Sequence, residues 1–432
     1  MTDLGWKYLT DGDKANILRG MRDGVAHGGP YHVEIYPADR CNIECFFCST
    51  AAIRGTDELP LTRLEELLGE LKAAGTRAIS MAGGGEPLFH RKTKDFLRAI
   101  AASGIPIENL TTNAVLLNRE VAEILIQSCD QITVSLNTGD ETTYAAMMQT
   151  PPRNFHRVVD NVRALIELKH QSRSRTPAVI LQFLVWKENF RTIPQMYDLA
   201  RDLGIDSILF NGLALLPPEK KMTATETDEM MALYKEVIRR DEYRVVRAIN
   251  TFEQNLAPRV ARMNRELTIE RESASWSRRL ARFLGRRDYS MRQKLAHRSR
   301  LRREAEIDRS TAGLTDSCII GWYSLVVRTN GAVAPCCVIQ NRDLGNVFTQ
   351  TVDEIWNGER YRTFRKELSN IMLRGADWRF DPATDHTIIR MCGEDIAEER
   401  CPIKSFYFKP DIPFMRQYDS LVREARKSAA EP

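Results

Sequence analysis

Tyr31-His-Val-Glu-Ile-Tyr36-Pro-Ala-Asp-Arg-Cys41-Asn-Ile-Glu-Cys45-Phe-Phe-Cys48 joins a predicted strand, Tyr31–Tyr36, directly to a C-x3-C-x2-C loop. Three thiolates can hold three irons of a [4Fe–4S] cube and leave the fourth iron without a protein ligand. Most cysteine-ligated cubes use four thiolates and are closed. An open iron can bind a substrate or cofactor, so the loop marks a reactive site.

Downstream, strand and helix patterns alternate. Apolar strands are expected at Val33–Tyr36, Ala78–Met81, Asn109–Thr111, Ile132–Leu136, Ala178–Val185 and Ser207–Phe210. Helical periodicity fills the intervals Leu61–Ala74, Thr93–Ala102, Arg119–Gln127, Phe155–Lys169, Ile193–Leu203 and Glu226–Arg240. Successive βα units predict a parallel sheet with helices outside it, curled into a barrel or part of one. Chemistry then belongs at the C-terminal ends of the strands, which is where the three cysteines stand.

The 432 residues leave room for two or three domains, and 43% hydrophobic with 28% charged residues is an ordinary globular balance. No apolar run reaches the roughly 18 residues of a membrane span. The N-terminus shows no apolar signal core, so a cytoplasmic location is expected. In a reducing compartment nine cysteines read as metal ligands rather than disulfides. Three lie near the start and five near the end, and Cys129 stands alone as a packing residue.

Residues 259–309 carry 16 Lys and Arg against 7 Asp and Glu, a local charge of +9 in a chain of +4. With almost no Gly or Pro the segment reads as helical. It is either a solvated insertion or a basic amphipathic helix. For the latter, Trp276, Leu280, Phe283 and Leu284 lie on one face among Arg278, Arg279, Arg282, Arg286 and Arg287. Such a helix over residues 275–287 suits an anionic membrane surface, a lipid-linked substrate or a lid. Without a readable motif, nucleic acid is not expected. Farther on, Tyr323–Arg328 and Ala332–Ala334 flank an Asn330-Gly331 turn and predict a β-hairpin. A helix is expected over Val352–Leu368. Cys318, Cys336, Cys392 and Cys401 could close a second [4Fe–4S] cluster or hold zinc. Cys337 is a substitute ligand, a hydrogen-atom donor or a packed side chain.

The strand followed by C-x3-C-x2-C, with Phe47 before the last cysteine, resembles the radical S-adenosylmethionine (radical SAM) superfamily. Gly83-Gly84-Gly85-Glu86-Pro87 is similar to its GGEP motif, Thr111-Thr112-Asn113-Ala114 to TTNG, and Thr133-Val134-Ser135-Leu136-Asn137 to its VSLD strand. The resemblance implies that Cys41, Cys45 and Cys48 hold the cluster and that SAM binds its open iron. It also implies that Phe47, Gly84, Gly85, Glu86, Pro87, Thr112, Asn113, Ser135 and Asn137 line the cofactor site. Ala114 and Asn137 depart from the usual glycine and aspartate. Gln182 and Asn211 join the candidates because their strands should end at the same mouth. The tail, with Cys318, Gly331 and Cys336, then Leu344-Gly345-Asn346-Val347 and Glu354-Ile355-Trp356-Asn357, resembles the SPASM/twitch extension. One auxiliary cluster is expected, on Cys318, Cys336, Cys392 and Cys401, although the last pair departs from the usual C-x2-C.

The resemblance implies a partial (β/α)6 TIM-like barrel over residues 30–245, after an N-terminal extension over 1–29. The basic insertion then spans 246–312, a twitch/SPASM-like domain 313–410, and a tail 411–432. It implies reductive cleavage of SAM to a 5′-deoxyadenosyl radical, with electrons from a flavodoxin or ferredoxin. Hydrogen abstraction would follow, giving oxidation or, with a cysteine hydrogen donor, epimerisation. The short N-terminal extension and the arginine-rich insertion favour a small polar substrate, sugar-like or phosphate-bearing. A maturase of a ribosomally made peptide is the alternative within the family. A zinc- or cluster-binding regulator is the alternative outside it, and the GGGEP loop argues against that reading.

Overall fold

A computed structural model describes residues 6–48, 50–51, 54–212, 222–241, 246, 319–337, 343–374, 414, 417–418 and 420–424. The basic segment 259–309 lies outside the described residues, as do Cys318, Cys392 and Cys401.

Six strands follow one another as expected: β1 His32–Ile35, β2 Ala78–Met81, β3 Ile107–Thr112, β4 Gln131–Ser135, β5 Ala178–Val185 and β6 Ser207–Gly212. Each pairs in parallel with the next. The intervening helices include α2 Leu61–Ala74, α3 Thr93–Ser103, α4 Arg119–Ser128, α6 Arg153–Gln171, α7 Ile193–Leu203 and α8 Ala224–Arg240. Left-handed glycines at 75, 104 and 204 end three of these helices, where the missing Cβ makes positive φ accessible. The result is a partial (β/α)6 barrel. Two helices not expected from periodicity complete it: α1 Asp11–Asp23, before the barrel, and α5 Glu141–Met148, after β4.

The two faces of the sheet differ in chemistry. Val33, Ile35, Leu110, Ile132, Val134, Val179, Leu181 and Phe183 are fully buried in the main apolar core. Strand alternation puts polar residues on the opposite face. There Gln131 Nε2 and Thr133 Oγ1 each donate to Asn109 Oδ1 at 2.9 Å, and Ser135 Oγ donates to Gln182 Oε1 at 3.4 Å. His32 Nε2 and Ser80 Oγ are hydrogen-bonded at 2.9 Å on the same face. This face of the sheet is therefore polar and held by side-chain hydrogen bonds between neighbouring strands.

The predicted hairpin forms as β7 Ser324–Val327 and β8 Val333–Ala334. It does not stand apart from the barrel. Strand β7 pairs in parallel with β1, His32 against Ser324 through Ile35 against Val327. The sheet order is therefore β6-β5-β4-β3-β2-β1-β7-β8. The helix expected over Val352–Leu368 is two helices, Val352–Trp356 and Glu359–Arg374. The break falls at Asn357-Gly358, where glycine weakens a helix interior. Arg365, fully buried, staples this region: Nε donates to Gly321 O at 2.6 Å and Nη1 to Trp356 O at 2.7 Å. The N-terminal segment is clasped by the same elements, with Trp322 Nε1 donating to Val25 O and Trp356 Nε1 to Gly28 O. No helix among the described residues is long and apolar enough to cross a membrane.

Candidate active site

The cysteine loop leaves β1 and returns to a neck: Asp39 N donates to Asp57 O and Leu59 N to Pro37 O, each at 2.9 Å. Above the neck it is held by the ends of the next strands. Gly85 N donates to Ala38 O at 2.9 Å and Glu86 N to Arg40 O at 3.0 Å. A Cβ on Gly85 would stand 2.1 Å from Arg40 O, and one on Gly83 would stand 1.9 Å from the Tyr36 ring. The glycines after β2 are thus required by contact with residues 36–40 of the loop itself.

Each cysteine has a tie to a different neighbour. Asn113 Nδ2, at the end of β3, lies 3.8 Å from Cys41 Sγ. Thr50 Oγ1 stands 3.2 Å from Cys48 Sγ and donates to Gly84 O at 2.7 Å. Met148 Sδ, in the last turn of α5, lies 3.4 Å from Cys45 Sγ. The backbone is anchored there too, with Glu44 N donating to Met148 O and Phe46 N to Met147 O. Burial raises the Cys41 thiol and pushes Cys45 up to about 12. Without a cation these two remain protonated at neutral pH, and metal binding is what ionises such thiols. Among the described residues no three His, Cys, Asp or Glu groups converge tightly enough for a single metal ion. Three cysteine thiols on one loop are the donor type that an iron–sulfur cluster takes.

The other sequence candidates divide into two groups. Glu86 is buried and accepts from Thr112 Oγ1 at 2.5 Å, Leu88 N at 3.0 Å and Asn113 N at 2.8 Å. Burial raises its pKa, opposed by those hydrogen bonds. Its carboxyl thus positions β3 and Asn113. Pro87 opens the short turn that Glu86 caps. Asn137 is also internal: at φ +63° it accepts from Leu184 N at 3.0 Å, and its Nδ2 lies 4.0 Å from Met148 Sδ. Phe47 packs edge-on against Phe46, which leans on Trp186. Ser135, Gln182 and Asn211 lie on the polar side of β4, β5 and β6. Asn42, Thr50, Phe46, Tyr144, Met148 and Trp186 were not among the sequence candidates. For Tyr144 and Met148 the only local signal was the Asp140 cap of α5.

Several buried polar atoms at or after the C-terminal ends of the strands, or on the helix α5 that follows β4, have no hydrogen-bond partner. They include Arg40 Nε, Asn42 Nδ2, Tyr144 OH, Trp186 Nε1, Asn211 Oδ1 and Arg328 Nη2. Such atoms are costly unless water or a polar ligand meets them. Cys336 is buried and Cys337 half-buried beyond β8, with Cys337 near enough to Tyr36 to raise its hydroxyl further after burial and Glu34.

A sequence model described as the radical SAM superfamily matches residues 35–200, and one described as an iron–sulfur cluster-binding domain, SPASM, matches residues 318–378. GTP 3′,8-cyclase of Rhodopirellula baltica is 34% identical over 140 residues, 31% of this chain and 38% of that protein. A probable GTP 3′,8-cyclase of Saccharolobus solfataricus is 28% identical over 171 residues, 39% of this chain and 52% of that protein. The chain therefore spans about four-tenths to half the length of the curated relatives it matches. Among solved structures, SuiB of Streptococcus suis bound to S-adenosylmethionine aligns over 82% of this chain and 71% of its own, with TM-score 0.52 at 17% identity. Native anSMEcpe with bound AdoMet aligns over 92% and 97%, with TM-score 0.52 at 12% identity. These likenesses are of fold.

Proposed function

We infer that this chain, a radical SAM enzyme with a C-terminal SPASM domain, abstracts a hydrogen atom from a small, polar, anionic substrate held at the strand mouth. The two domains imply a SAM-binding [4Fe–4S] cluster, SAM and an auxiliary iron–sulfur cluster. When bound, these groups supply one-electron reduction of SAM and a hydrogen-abstracting carbon centre. In our reading Cys41, Cys45 and Cys48 hold the SAM-binding cluster. Glu86 fixes the end of β3 so that Asn113 faces Cys41. Thr50 ties Cys48 to the glycine loop, and Met148 packs against Cys45. Cys336 belongs to the auxiliary ligand set, completed by Cys318, Cys392 and Cys401.

One observation supports the substrate class. Arg328 follows β7 at the mouth, beside Tyr36, and its buried Nη2 has no hydrogen-bond partner. A guanidinium so placed suits a carboxylate or phosphate. The polar wall from Asn109 to Gln182 suits hydroxyl groups. The curated relatives are by name cyclases of GTP, a phosphate-bearing ribonucleoside. Oxidation or epimerisation is the outcome we favour. Peptide maturation is the second reading, favoured by likeness to SuiB, which has been solved with its precursor peptide SuiA.

Anaerobic reconstitution tests the class. About eight irons per chain, and 5′-deoxyadenosine on adding SAM and reductant, are expected; zinc without iron would overturn it. Cys45→Ala should release no 5′-deoxyadenosine. Deuterium transfer into 5′-deoxyadenosine, from labelled GTP, labelled sugar phosphates or a labelled peptide, separates the two substrate readings.

A further inference from the structure

Tyr144 is fully buried, yet its hydroxyl has no hydrogen-bond partner. Its ring is fixed edge-on to Phe155, with centroids 5.6 Å apart. It sits on α5, the helix whose last carbonyls hold Glu44 N and Phe46 N on either side of Cys45. The ionisable groups that act on the hydroxyl are Cys45 first, then Glu86 and Cys41. Glu86 already accepts from Thr112, Leu88 and Asn113 and takes nothing from Tyr144.

A neutral thiol is a weak acceptor. A thiolate or sulfide carrying negative charge is a strong one. Met148, four residues on along the same helix, lies 3.4 Å from Cys45 Sγ, so the unpartnered hydroxyl stands on the side of α5 that faces Cys45 and Cys41, and it gains a partner when those thiols bind iron. We propose that Tyr144 donates a hydrogen bond to the sulfur shell of the cluster on Cys41, Cys45 and Cys48 and so sets its reduction potential. A donor aimed at sulfur stabilises the reduced, more negative cluster, and hydrogen bonds to the sulfurs are one of the determinants of cluster potential. Tyr144 is thus a positioning residue that eases electron entry. The inference rests on the cluster assignment proposed above.

The test is an EPR-monitored redox titration of the reconstituted full chain, followed on the signal that SAM addition perturbs. Tyr144→Phe keeps the ring and removes the donor. At the wild-type midpoint its ratio of reduced to oxidised cluster should fall between about threefold and tenfold, the latter equal to about 59 mV for one electron. Site-specific 3,5-difluorotyrosine at position 144, a stronger donor, should shift the ratio the other way. That arm also reads the proposal if Tyr144→Phe fails to load iron. Unchanged potentials in the loaded variants would overturn the proposal. A wild-type chain with no SAM-responsive cluster would overturn the functional reading instead.

Discussion

Glu86 Oε2 accepts the backbone N–H of Asn113 at 2.8 Å, joining the loop after β2 to the end of β3 beneath Cys41. Both oxygens of this buried carboxylate are used, and Asn113 is the residue whose amide reaches the Cys41 sulfur. Glu86→Gln keeps the shape but replaces one acceptor by an N–H. Two donors then face each other in the interior, a cost of about 1–3 kcal/mol. The expected outcome is a lower urea midpoint and reduced iron incorporation. Wild-type values for both would show that the carboxylate is not the tie.

The glycines after β2 make a sharper contrast. Gly85→Ala would drive a methyl into Arg40 O and Asp39 O, both backbone atoms unable to step aside. Iron uptake on reconstitution should fall severely. Gly69, inside α2, faces open space, and a Cβ there would meet nothing within 4 Å. Gly69→Ala should therefore stabilise by about 0.5–1 kcal/mol with normal iron uptake. Equal effects of the two substitutions would remove the packing argument.

Much of this was legible in the chain. Short apolar runs placed β2 and β5 at their observed limits, and helical periodicity with a glycine stop did the same for α2 and α7. Helix α5 was not, because ETTYAAMM is apolar on several sides and has no 3.6-residue stripe. Yet it carries Met148, which lies 3.4 Å from Cys45 Sγ, and Tyr144. The pairing of β7 with β1 joins residues nearly 300 positions apart in sequence, and no local pattern encodes it. The internal partners of Glu86 and Asn137 were not legible for a related reason. A motif shows that a polar side chain is needed, while only the fold shows that its partner is backbone.

Asn137 illustrates this. Its left-handed backbone, φ +63°, suits Asn. Its Oδ1 accepts from Leu184 N, while Nδ2 faces Ser135 O and Met148 Sδ. Asn137→Asp would keep the acceptor but turn a buried charge toward a carbonyl oxygen and a thioether. Desolvation would raise the new carboxyl's pKa. The variant should be close to wild type in acid and lose stability as pH rises through neutrality. Urea unfolding at pH 5 and 8 checks this, and a pH-independent difference would contradict it.

Glu34, on the polar face of β1, carries its own pH dependence. Burial lifts its carboxyl from 4.5 to about 7, with a smaller opposing effect of its hydrogen bond with Tyr36. Between those values the folded chain keeps a proton that the unfolded chain has released. The folded state then binds more protons, so its stability falls with rising pH. The favourable contribution is complete below about pH 4.5 and lost as pH passes through about 7. Its upper limit is on the order of 3 kcal/mol, since one pKa unit corresponds to about 1.4 kcal/mol. Glu34→Gln has nothing to titrate there and should show a flatter stability profile between pH 5 and 8, measured by urea unfolding in the same buffer series. Parallel profiles for the two chains would mean that Glu34 ionises normally and that another group governs the slope.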